Sequence, residues 1–125
     1  MRDDQGQAAL EADARGRLLS AGAVDLPRPP WRHARQPPSA VDLIQFALWR
    51  DRSGAVDEEH LMAALTLLAA ARAEFDQMEA ALLFTARAHG LSWAQISHAL
   101  GLRSAQAAQQ RFDRVSGRVE QREGD

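Results

Sequence analysis

A chain of 125 residues with 46% hydrophobic content and a formal charge of −2 has room for one modest domain with tails. Its pI near 6.1 excludes a protein that coats nucleic acid by bulk charge, so any DNA affinity must come from a local patch. Cysteine is absent, which rules out disulfides, thiol redox chemistry and cysteine-ligated zinc.

Residues 1–25 are rich in alanine, acids and arginine, with weak helical potential around Ala8 to Ser20 and few large apolar side chains beyond Leu10, Leu18 and Leu19. Such a segment is marginal as an independent helix. The opening residues lack a signal peptide's charged-then-apolar order, and no uninterrupted apolar run of about 18 residues follows, so a cytoplasmic protein with no membrane segment is expected. All five prolines fall in residues 26–38. Proline removes N–H donors and restricts the residue before it, so this stretch is a linker or an extended arm. Trp31, with Arg28, Arg32 and Arg35, has three readings: a basic arm for a minor groove, an indole folded back onto the core, or part of a solvated linker. Residues 1–38 are thus expected to form a flexible or partly helical N-terminal arm.

Ser39 opens the folded part, because a hydroxyl followed three residues later by the carboxylate of Asp42 matches a helix N-terminal cap. A helix is predicted from there to about Arg52, ended by Ser53 and Gly54. Its apolar residues Val41, Leu43, Ile44, Phe46, Ala47, Leu48 and Trp49 cover more than one stripe, so the helix is either deep in the core or meets a partner. Asp57 caps the next helix. From Asp57 to His89 there is neither proline nor glycine, which allows one helix of about thirty residues or one with a concealed kink. Leu61, Ala64, Leu68, Ala71, Phe75, Met78 and Leu82 recur at alternating spacings of three and four, a heptad seam that needs a facing helix. The facing helix is the Ser39–Arg52 helix of the same chain or the same seam of a second subunit. In the second case Leu61, Leu68, Phe75, Met78 and Leu82 are the dimerisation residues and 39–89 is a helical dimerisation region.

Residues 90–118 have the layout of a helix-turn-helix. Ser92 caps a short helix with Trp93, Ile96 and Leu100 on one face, Gly101 supplies the turn, and Leu102 anchors it. Ser104 caps a second helix whose Ala105, Ala108, Phe112 and Val115 form the inward stripe. Arg103, Ser104, Gln106, Gln109, Gln110, Arg111 and Arg114 are the candidate DNA-binding residues, since glutamine pairs with adenine edges and arginine with guanine or phosphate. Between Gly90 and Arg118 four arginines face one acid, Asp113, a local basic patch on an acidic chain. Residues 119–125 are expected to be a short polar tail that frays.

The run from about Leu48 to Arg118 resembles a group of small bacterial helix-turn-helix proteins of high-GC genomes, some labelled transcriptional regulators of a small heat-shock protein. The residues that carry the resemblance are Phe75 to Glu79, Ala80 to Leu83, Arg87, Ser92 to Ile96, Ala99 to Ser104 and Gln106 to Phe112. The last three segments are also similar to the helix-turn-helix of sigma-factor region 4, although the connection from Leu102 to Ala105 is one residue longer than in that pattern. The resemblance implies double-stranded DNA as the partner.

These readings combine into an all-α protein with a long central helix and a C-terminal helix-turn-helix, acting as a homodimeric DNA-binding transcription regulator. The alternative is an adaptor that uses a degenerate helix-turn-helix to bind RNA polymerase or a sigma factor; Asp113 favours it, because phosphate repels a carboxylate. No enzyme is expected: there is no glycine-rich phosphate loop, no nucleophile grouping and no Glu-x-x-His signature. No cofactor or metal is expected either. His33, His60, His89 and His98 are scattered, and Asp57 to His60 reads as an acidic first helical turn.

Overall fold

The computed structural model describes residues 4–54 and 57–124. The first three residues of the expected arm and the last residue of the expected tail lie outside that set. The described residues are all-α with no strand: α1 (Asp4–Ser20), a 3-10 turn (Ala23–Asp25), α2 (Ala40–Arg52), α3 (Glu58–Thr66), α4 (Leu68–Ala88), α5 (Trp93–Leu100) and α6 (Ala105–Gly124). No described helix is long and apolar enough to cross a membrane. The chain divides into two compact units, Met1–Arg72 and Ala73–Asp125, with the boundary inside α4 rather than after His89.

In the first unit, α1 packs on α2 and α3 around Ala14, Leu18, Ala23, Ala40, Leu43, Phe46, Ala47, Ala63, Ala64 and Leu67. The N-terminal segment is therefore a docked helix over Asp4–Ser20 and not a loose arm. Ala14 and Leu18, four residues apart, present one narrow stripe to the core, which suffices because a single buried leucine contributes about 1.5–3 kcal/mol. Arg17 bonds Asp13 at 2.8 Å on its own helix and Glu59 of α3 at 3.2 Å. Arg15 donates to the Pro38 carbonyl at 3.0 Å, tying the end of the proline-rich segment to α1. Gly22 has φ +130°, a conformation that excludes most side chains, and turns the chain into the 3-10 segment. The Trp31 indole is 84% exposed and is not folded onto the core.

The caps follow the sequence. Ser39 accepts from the Asp42 N–H at 3.1 Å and Asp57 from the His60 N–H at 3.0 Å. The Asp57–His89 stretch, however, is two helices. At Leu67 the N–H is shared between the Ala63 and Ala64 carbonyls at 3.2 and 3.1 Å, a tightening of the ladder toward 3-10 geometry. One residue earlier the Thr66 hydroxyl bonds the Met62 carbonyl at 2.9 Å, a back-bond that bends helices. Leu67 is fully buried. The heptad seam, which skips Leu67, lies instead largely at the surface: Leu61, Leu68, Phe75, Met78 and Leu82 are all exposed, with Leu82 at 70%. Within the first unit α2 leaves Leu61 and Leu68 exposed, so that version of the facing helix is corrected there.

Candidate nucleic-acid interface

The second unit consists of α4 from Ala73, α5 and α6, around buried Leu83, Ile96, Ala108 and Val115, with Ala80, Ala86, Trp93, Leu100, Leu102 and Phe112 packed at the edge. Its connections are tight for local reasons. At the end of α4, Leu91 N–H bonds the Ala86 carbonyl at 3.1 Å and Gly90 N–H bonds the Arg87 carbonyl at 2.9 Å. The end of α5 repeats this Schellman closure, with Leu102 to Ser97 at 2.8 Å and Gly101 to His98 at 3.2 Å, and Gly101 at φ +72°. Ser92 and Gln95 form a complete capping box at the start of α5: Ser92 Oγ accepts at 3.0 Å and Gln95 Oε1 at 2.8 Å. Ser104 Oγ accepts from the Ala107 N–H at 3.1 Å and so fixes the start of α6.

Trp93 joins the three helices. Its ring centroid lies 5.8 Å from that of Phe112 on α6, and the Arg87 guanidinium of α4 sits 4.9 Å above it. Arg87 also donates to the Leu91 carbonyl at 2.9 Å. The indole is half-buried, so Trp93 covers the edge of the small core and is not enclosed in it.

Of the seven candidate residues, Arg103 and Ser104 precede α6 and the other five divide between two of its faces. Arg103, Ser104, Gln106, Gln109, Gln110 and Arg114 are exposed. Ala108 and Val115 are fully buried on the opposite side, whereas Ala105, expected in the inward stripe, is exposed. Arg111 turns toward α4, where it forms a two-pronged pair with Glu79 at 2.9 and 3.3 Å. Arg118 bonds Asp76 through two nitrogens at 3.2 Å, and Arg122 adds a third bond to Asp76 at 2.8 Å. Asp76 and Glu79 each leave only 13% of the side chain exposed. The hydrogen bonds from Arg118 and then Arg122 hold the Asp76 carboxyl below its usual range.

Sequence reasoning did not find these two carboxylates. They lie on α4, outside the Gly90–Arg118 stretch, and the signal for them is their spacing of three on one helix face opposite arginines spaced seven and four apart. Two of the four arginines between Gly90 and Arg118 are paired with carboxylates, which leaves Arg103 and Arg114 as the exposed arginines outside those pairs, beside Asp113. The expected tail is also ordered differently from expectation, because α6 continues as helix to Gly124, with Arg118 and Arg122 pinned to Asp76. Among the described residues, no group of three or more histidine, aspartate or glutamate side chains is placed to hold a metal ion.

Comparison with protein-family models, with curated proteins and with solved structures gives no match.

Proposed function

We propose that this chain is a homodimeric, sequence-specific DNA-binding transcription regulator that inserts the first turns of α6 into the major groove. The observation that supports it is the outward face of α6: Gln106, Gln109 and Gln110 are flanked by Arg103 and Arg114, all exposed, on a helix whose other side is fixed by Ala108, Val115 and the Arg111–Glu79 pair. A rigid helix offering amide side chains and a few cations is the chemistry of base-edge readout with phosphate anchoring. Two copies are needed because the two exposed cations that flank this face, Arg103 and Arg114, give little counterion-release affinity.

The test is retention of discrete duplex fragments from a pooled genomic digest at two salt concentrations, with mass measured by light scattering in the same buffer. Gln106→Ala is expected to weaken the retained site by about 1–3 kcal/mol, and Arg114→Ala to flatten the salt dependence by roughly one phosphate contact. Arg111→Ala should leave the salt slope unchanged, since its guanidinium already serves Glu79. Asp113 supports a second reading, an adaptor for RNA polymerase or a sigma factor: this exposed carboxylate shares the face of Gln106 and Gln110. No retained duplex at low salt selects that reading.

A further inference from the structure

On α3 and the first turn of α4, within the first unit, the side of the helix turned away from the core carries Glu58, Leu61, Met62, Leu65, Leu68 and Arg72. Met62 and Leu65 are 63% and 60% exposed, although both are large apolar side chains, whereas Ala63, Ala64 and Leu67 are buried in the core. The chain stays right-handed through the break at Leu67. Leu67 keeps right-handed dihedrals (φ −85°, ψ −1°), and its carbonyl accepts from the Ala71 N–H at 2.9 Å. Residues 58, 61, 65, 68 and 72 then follow the alternating three-and-four spacing of a single helix face.

The order of charges along this stripe is antisymmetric about Leu65: a carboxylate seven residues before it and a guanidinium seven residues after it. Neither Glu58 nor Arg72 is in an ion pair with a described residue, whereas the neighbouring Glu59 is taken by Arg17. We infer that a second copy of the chain docks antiparallel on this stripe, with Leu65 near the two-fold axis, Leu61 against Leu68 of the second copy, and Glu58 reaching Arg72 of the second copy on both sides. The inference rests on the homodimeric part of the reading above and assigns its interface. A parallel pairing brings Glu58 beside Glu58 and Arg72 beside Arg72, and like charges at that separation oppose it. An isologous contact needs a surface complementary to itself under a two-fold rotation, which this stripe is. The other exposed stripe, Phe75, Met78 and Leu82 on α4, offers no such guide, since Asp76 and Glu79 beside it are already bound by arginines of α6. A contact only four turns long is small by the standard of permanent dimers, so association is concentration dependent.

Sedimentation of the full chain across a range of concentrations, with far-UV circular dichroism as the folding control, tests the assignment. Leu65→Glu, a change at an exposed position, is expected to give a folded monomer. Glu58→Arg and Arg72→Glu are each expected to weaken the dimer about tenfold, two exposed pairs being lost at once. The double variant Glu58→Arg/Arg72→Glu should return to within about threefold of the parent, because the swapped charges again meet their opposites. As the chain has no cysteine, Leu65→Cys should also yield a covalent dimer on oxidation, and Leu82→Cys should not. A parent monomeric at every concentration, a dimer that survives Leu65→Glu, or a double variant no better than the singles overturns the inference. The DNA titration separates this from the function proposed above. Specific retention by a monomer removes the interface and keeps the DNA reading, and a Leu65-dependent dimer that retains no duplex does the reverse.

Discussion

Leu18, Leu43 and Leu67 are fully enclosed in the first unit, whereas in the second the only large side chain enclosed to that degree among the described residues is Val115. The second unit adds directed polar contacts to its thin core: two Schellman closures, a capping box, and the arginine pairs made by Asp76 and Glu79. The first also has ion pairs, but those of Arg17 involve carboxylates that are 63% and 73% exposed, and exposed pairs contribute little. A small three-helix unit in which one face of α6 is polar has less apolar surface to bury, so its helix ends and its few shielded charges carry a larger share of its stability. The same arrangement fixes which arginines face outward.

The contrast can be broken most strongly at the first core. Leu67→Ala is expected to cost about 2–5 kcal/mol, read by urea unfolding, and hydrogen exchange should show the loss concentrated in α1–α3. Equal loss of protection in α5 and α6 would mean that the two units unfold as one. Trp93→Ala should cost about 2–3 kcal/mol, below the range for a fully enclosed ring because the indole is half-buried. It should lower protection first in α5 and α6.

Asp76→Asn is expected to cost about 1 kcal/mol at neutral pH by removing a charge shared by two arginines. The sign of the pH effect follows from the direction of the shift. The Asp76 carboxyl titrates below its ordinary value of 3.8 in the folded chain, because Arg118 and then Arg122 hydrogen-bond its charged form. Its stabilisation is therefore complete above that value and is lost as pH falls through the lowered one. Urea midpoints of the parent and of Asp76→Asn should differ from pH 5 to 7 and converge in strong acid; a difference that persists there would assign the effect to packing. Ser92→Ala is expected to cost a comparable amount, about 1 kcal/mol by loss of the cap, seen as fraying of α5 with α1–α3 untouched.

Local chemistry was legible residue by residue. The caps at Ser39, Asp57, Ser92 and Ser104 and the turn at Gly101 involve atoms within three to five residues of each other, so hydroxyls, carboxylates and a glycine at the right spacing announce them. The exposed face of α6 was legible for the same reason, since helical periodicity alone separates Gln106 and Gln110 from Ala108 and Val115. Three features were not. α1 has too few large apolar residues to signal burial, yet Ala14 and Leu18 are enclosed because small side chains let helices approach closely. The break at Leu67 carries no proline or glycine and arises from a threonine back-bond and the demand of the core for that leucine. The partners of Arg111, Arg118 and Arg122 lie 32 to 46 residues away, so charge counted along a segment could not reveal them.

By itself, then, the sequence determined where the capped helices α2, α3, α5 and α6 start and which face of α6 is polar, because backbone hydrogen bonding and side-chain period act over a few residues. Tertiary structure decided which apolar stripes are enclosed and which cations remain unpaired. Burial and ion pairing depend on what another helix brings within a few ångströms, and sequence distance does not limit that.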